Sequence, residues 1–251
     1  MARAAVLGRL ALTPVRWQLG DVAGLVEETP RVKTVELDLG EWPGHKAGQH
    51  VDVRLTAEDG YQAQRSYSIA SAPEDERLAI TVERLDDGEV SPYLAEELMV
   101  GDKLELRGPI GGYFAWDTDE GGPLLLLGGG SGVVPLMSML RHRAARGSEV
   151  STRLLYSARS LDDVIYREEL ERLAGDDNLD VLYTLTRSHP PGWTGYARRV
   201  DDEMLREVAF REGLAFVCGP TRFVEAVADG LVAVGYGPER VKTERFGPTG
   251  G

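Results

Sequence analysis

Residues 124–140 read LLLLGGGSGVVPLMSML, and the fold turns on how this stretch is read. It is uncharged and, with Pro123, approaches the length of a membrane span. Three consecutive glycines and a proline near its centre suit a lipid-facing helix poorly. They suit a buried strand that ends in a tight glycine turn and opens a helix. Pro135 falls in the first turn of that helix, where its missing N–H costs nothing. Gly128, Gly129, Gly130 and Gly132, with Ser131 among them, let the backbone approach a pyrophosphate. The N–H groups and dipole of a helix start would hold the charge of such a group. The spacing is neither G-x-G-x-x-G nor a Walker A loop, since no Gly-Lys-Ser/Thr follows. The competing reading is a strand–helix turn that binds nothing.

Toward the C-terminus, apolar runs alternate with helical segments. STRLLYSAR (151–159) precedes DDVIYREELERLAG, in which Asp162 and Asp163 are placed to start a helix and Ile165, Leu170 and Leu173 sit at helical spacing. LDVLYTLTR (179–187), DDEMLREVAF, LAFVCGP (214–220) and TRFVEAVADGLVAVG continue the alternation. Such repetition predicts a parallel α/β sheet with helices on both faces.

Toward the N-terminus the style changes to short alternating runs: VKTVELDL (32–39), QHVDVRL (49–55), RSYSIAS (65–71), RLAITVERL (77–85) and DKLELRGP (102–109). Gly, Pro and acidic turn residues separate them, as in a small antiparallel β-barrel. SPYLAEEL (91–98) reads as a helix with Ser91 as N-cap and Pro92 at its first position. The acidic, Gly-rich residues 117–123 read as a linker, which predicts two domains, 1–117 and 118–251.

Composition narrows the function. With 28 Lys+Arg against 41 Asp+Glu the formal charge is −13, which argues against nucleic acid or an anionic membrane as the main partner. The single cysteine, Cys218, excludes an internal disulfide framework, a Cys-based structural zinc site and a four-cysteine iron–sulfur centre within these 251 residues. The N-terminal arginines flank too short an apolar stretch for a targeting segment. These features together predict a soluble, cytoplasmic protein. His45, His50, His142 and His189 show no metal spacing; His50, directly after Gly48-Gln49, is placed to lie near a bound group.

Arg65-Ser66-Tyr67-Ser68 puts an arginine, an aromatic ring and hydroxyls in one strand, with 65 and 67 on one face and 66 and 68 on the other. Arginine suits phosphate, tyrosine covers a flat ring, and serine hydrogen-bonds a ring heteroatom. Read with the glycine turn and the C-terminal motifs, the chain resembles the ferredoxin–NADP reductase family of flavoproteins. In that resemblance Arg65 binds the FAD pyrophosphate, Tyr67 packs on the flavin and Ser68 hydrogen-bonds near its N5. Val82-Glu83-Arg84, Gly88 and Val90-Ser91 complete the flavin phosphate site. Gly129, Gly130, Ser131, Gly132 and Pro135 form the nicotinamide-dinucleotide loop. Cys218-Gly219-Pro220 lies beside the nicotinamide, and Glu244 and Phe246 approach the flavin. Ser66 departs from a frequent family Pro, and five residues follow Phe246.

The resemblance implies NAD(P)H delivering a hydride to the flavin, with Ser68, Cys218 and Glu244 serving the reaction, and electrons leaving singly to a separate protein such as a ferredoxin or an oxygenase component. Reduction of free flavin, quinone or dyes is a nearby variant. A non-catalytic flavin-binding electron-transfer or regulatory subunit is the alternative of another class. FAD over FMN rests on the resemblance. NADP over NAD rests on Ser157, Arg159 and Arg187 at the strand tips, where NAD sites tend to place an acid. Arg141, Arg143, Arg146 and Arg198-Arg199 are candidate docking points for an acidic ferredoxin, against the alternative of a solvated face.

Overall fold

The computed structural model describes residues 15–175 and 178–246. An antiparallel sheet comes first: β1 (Gln18–Thr29), β2 (Val32–Leu39), β3 (His50–Thr56), β4 (Gln62–Ser68), β5 (Leu78–Glu83) and β6 (Lys103–Ile110), in the order β4-β3-β6-β1-β2-β5. The chain just past β4 closes it into a barrel, because Ile69 bridges Ile80 of β5 and the Ala70 N–H donates to the Ala79 carbonyl. Val35, Leu37, Val51, Val53, Ile80, Val82 and Leu106 fill its interior.

The second layer is a five-stranded parallel sheet of β7 (Leu124–Gly129), β8 (Thr152–Ala158), β9 (Leu179–Leu185), β10 (Leu214–Pro220) and β11 (Val241–Phe246), ordered β11-β10-β7-β8-β9. Its helices are α1 (Val133–Ala145), α2 (Arg167–Leu173), α3 (Asp202–Val208) and α4 (Thr221–Ala233). The central strand β7 is buried along its whole length. Leu124 and Leu126 face the core beneath α1 and α2, and Leu125 and Leu127 face the core beneath α3 and α4. Period-two alternation thus serves two apolar faces, which is why the strand reads as a continuous apolar run. The face under α1 also takes in Val32, Ala47, Ala70, Phe114 and Trp116 from the barrel side, so one core crosses the domain seam.

Four details differ from the sequence expectations. β1 and β11 are additional strands. β1 holds Gly20, Gly24 and three acids, and register shifts at Val22/Gly24 and Glu27/Thr29 break its alternation. β11 is a charged edge strand. Asp162 and Asp163 lie in a 3-10 turn, and α2 starts only at Arg167, after Tyr166 takes a left-handed φ of 58°. Ile165 is therefore off the helix, its N–H donating to the Tyr156 hydroxyl. Ser91 does not cap a helix: its Oγ accepts the Leu85 N–H, and the following turn is a short π-helix over Tyr93–Glu97. No helix among the described residues is long and apolar enough to cross a membrane.

Candidate active site between barrel and sheet

A cleft of about 450 Å³ opens between the two sheets, at the C-terminal ends of the parallel strands. The barrel supplies Thr29, Arg31, Val32 and Glu83; the parallel sheet supplies Gly129, Gly130, Ser131, Ser157, Arg159, Thr186 and Pro220. The glycine turn is shaped from both sides. A Cβ on Gly132 would stand 2.1 Å from the Cys218 carbonyl oxygen, so β10 passes against bare backbone there. Gly130 has a φ of +56° and nothing within 4 Å of a Cβ position, which leaves its backbone open. Ser131 Oγ donates to Glu83 Oε2 at 2.7 Å, tying the turn to the end of β5.

Arg159, Arg199 and Arg222 all line this cleft, and among the described residues none of their side chains makes a hydrogen bond or ion pair. Three uncompensated guanidiniums beside an open glycine turn form an anion-binding surface.

A second constellation spans the seam. Ser68 on β4 stands opposite His50 on β3. His50 Nδ1 lies 3.6 Å from Glu244 Oε1, and Glu244 on β11 stands opposite Cys218 on β10. The other oxygen, Glu244 Oε2, is buried without a hydrogen-bond partner. Burial, with the Glu244 charge beside it, pushes the Cys218 thiol up, so it stays neutral and is no nucleophile.

Comparison with known proteins fits this division. The oxidoreductase FAD-binding domain family matches residues 29–115, and the oxidoreductase NAD-binding domain family matches residues 126–229. Ferredoxin–NADP reductase B of Sorangium cellulosum is 37% identical over 210 residues, covering 80% of this chain and 85% of that protein. The chain belongs to the ferredoxin–NADP reductase family. The glycine betaine monooxygenase reductase subunit of Pseudomonas aeruginosa is 37% identical over 209 residues, covering 81% of this chain; the chain spans only 57% of that relative's length. The crystal structure of an Amycolatopsis cytochrome P450 reductase superposes with a TM-score of 0.82 at 28% identity, covering 94% of this chain and 72% of that one.

Within this ferredoxin–NADP reductase relative, the residues singled out from sequence take several different positions. Tyr67 is half-buried on the barrel core, and burial pushes its hydroxyl pKa up. Ser66, on the opposite face, donates to Asp52 at 2.6 Å. Val82 is fully buried, so only its backbone can face a ligand. Arg84 is engaged by Glu96 and Asp86, while Gly88 and Ser91 shape the 85–91 turn. Val90 and Pro135 are buried. Ser157, Arg159, Pro220 and Phe246 line the cleft, but Arg187 does not: only its N–H approaches Arg159, by donating to that carbonyl, and its side chain is exposed outside. Gly219 packs closely under Phe223. Arg222, which the sequence reading missed, follows Pro220 at the start of α4, a strand-end position that faces the crevice in open α/β sheets.

Of the arginines read as docking points, Arg143 is buried, Arg141 and Arg198 are paired, and Arg146 stays exposed. Arg141 pairs with Glu169 and donates to the Ala70 carbonyl, Arg143 is 2% exposed with its Nε donating to Val150, and Arg198 pairs with Asp201 and Glu203. Arg199 belongs to the cleft.

Proposed function

We propose that this chain is a reductase that takes a hydride from NADPH and passes electrons singly to a separate protein acceptor, a ferredoxin or an oxygenase component, in the cytoplasm. The observation that carries this reading is the trio of unpaired arginines, Arg159, Arg199 and Arg222, around the open Gly130 turn. The residues fit the groups the reading requires. The cleft offers three free guanidiniums and the open Gly130 backbone for phosphates, and Glu244 Oε2 is a buried polar atom without a hydrogen-bond partner.

Arg65 and the backbone of residues 82–91 would hold FAD, with Tyr67 against its ring and Ser68 at its edge. When bound, FAD supplies the conversion of a two-electron donor into one-electron steps. The chain's own residues bind, orient and hold a proton. His50 and Glu244 stand beside Ser68, where a proton can be kept near the flavin edge. Cys218, buried behind the strand end, and the Gly219 backbone would set the floor under the nicotinamide without placing a charge there. Ser157, Arg159 and Thr186 at the tips of β8 and β9 take the ribose end, and Arg159 is the 2′-phosphate partner. Asp163 also lines the cleft, but it accepts the Ser160 hydroxyl at 2.5 Å, which favours NADPH over NADH.

Anaerobic stopped-flow spectroscopy tests both levels. NADPH is expected to bleach the visible flavin band; if neither NADPH nor NADH does so, the non-catalytic alternative replaces this reading. Arg159→Ala should weaken NADPH by about tenfold and NADH by less than about twofold. Equal losses for both nucleotides would withdraw the NADP assignment.

A further inference from the structure

Arg65 is not free in this structure. One guanidinium nitrogen donates to the Gln64 carbonyl at 2.7 Å, and the other lies 3.3 Å from Glu89 Oε2. Glu89 is itself held: the Tyr61 hydroxyl donates to its Oε1 at 2.8 Å. Glu89 sits between Gly88 and Val90, in the turn fixed by the Ser91 Oγ contact to the Leu85 N–H.

The neighbouring cations are in the same condition. Arg84 pairs with Glu96 and, at 3.2 Å, with Asp86; Arg31 also reaches Asp86 at 3.2 Å. The contrast with Arg159, Arg199 and Arg222 lies within one molecule. Arg159, Arg199 and Arg222 on the parallel-sheet side of the nucleotide cleft stay open, whereas on the barrel side Arg65, Arg84 and Arg31, the last of which also lines that cleft, each already carry a carboxylate.

We propose that Glu89 sets how tightly this reductase retains its flavin, by holding Arg65 in an ion pair that a flavin phosphate must displace. The inference rests on the flavin site described under the proposed function. An incoming phosphate meets an occupied guanidinium and then a displaced carboxylate of its own sign nearby. An exposed ion pair is weak, so exchange is feasible, and the lasting effect is repulsion between Glu89 and the phosphate. Removing the Glu89 charge frees Arg65 and abolishes that repulsion together.

The test titrates the full chain, stripped of flavin, with FAD, FMN and riboflavin at two salt concentrations and reads fluorescence quenching. Glu89→Gln is expected to lower the Kd for FAD and FMN by about fivefold and to leave riboflavin, which has no phosphate, unchanged. Its FAD affinity should also fall more steeply with salt than the parent's, since uncompensated attraction is what salt screens. Glu89→Asp keeps the charge and should stay within about twofold of the parent. Tyr61→Phe removes only the tether and should do the same. A Glu89→Gln protein that binds FAD no more tightly than the parent overturns the proposal, as does an equal gain for riboflavin or from Tyr61→Phe. If neither parent nor variant binds any flavin, the flavin reading itself falls; equal binding by both removes Glu89 alone.

Discussion

At the scale of single residues, Gly132 shows how a glycine can be demanded by a neighbour rather than by its own torsion angles. Its φ is an ordinary −63°, yet a Cβ would stand 2.1 Å from the Cys218 carbonyl oxygen. That obstacle is backbone in the central part of a sheet and cannot rotate away. Gly132→Ala should force β10 and α1 apart and lower Tm by roughly 6–10 °C. It should weaken nucleotide binding as well. Thermal denaturation of the two proteins side by side checks the first expectation, and an unchanged Tm contradicts it. Gly130, by contrast, needs its glycine for a positive φ and has open space around it.

Among the elements, β1 combines a structural task with a half-buried carboxyl. Glu28 near its end accepts the Thr34 hydroxyl at 2.7 Å, and burial holds its carboxyl above the ordinary carboxylate range. The folded state therefore favours the protonated form, and stability from this group is present at low pH and lost as pH rises through the raised pKa. Glu28→Gln imitates the protonated form. It should match the parent in denaturant midpoint near pH 4 and exceed it increasingly toward pH 7; a constant difference across that range would contradict the cause. The same strand shows what sequence could reveal. β2, β7 and β10 announce themselves by unbroken apolar or alternating runs bounded by turn residues. β1 conceals itself behind bulges that break the period, and β11 behind edge charges. The start of α2 is not legible in the sequence, because a left-handed Tyr166 inserts a break where composition alone reads as helix. For the candidate site, the glycine turn and Arg159 are legible because motif and strand end coincide, and both line the cleft, whereas Arg65-Ser66-Tyr67-Ser68 stands out as a motif but lies outside that lining. The pairing of His50 with Glu244 was not, since the two are brought together only by the seam between the sheets.

For the whole molecule, the decisive feature is that seam. His142, 4% exposed, holds Glu74 at 2.9 Å from α1, Ser138 donates to the Ser71 carbonyl, and the Tyr166 hydroxyl donates to Thr81. These bonds surround an apolar core shared by both layers. Calorimetry is expected to show one cooperative transition with matching calorimetric and van't Hoff enthalpies; two resolved transitions would mean the layers unfold separately. The −13 charge also takes on a location. Glu27, Glu28, Glu36, Glu76 and Glu168 line a second cleft of about 1040 Å³ between β1, β2 and α2, away from the nucleotide arginines. Arg77, Arg141, Arg167 and Arg172 line that cleft too, and Glu83 and Asp163 line the other, so net charge says little about the local balance in either.

The shared core also limits how such a molecule can be rebuilt. A chimera that joins this barrel to the nucleotide-binding half of a relative would need Val32, Ala47, Phe114 and Trp116 to meet side chains that grew up with another partner. The exchangeable unit is therefore not the half-molecule that the chain's two styles of sequence suggest. It is the half together with the facing surface of α1, and an engineer testing the proposed cofactor preference would do better to exchange Arg159 and Arg199 in their loops and Arg222 at the start of α4 and leave the seam intact.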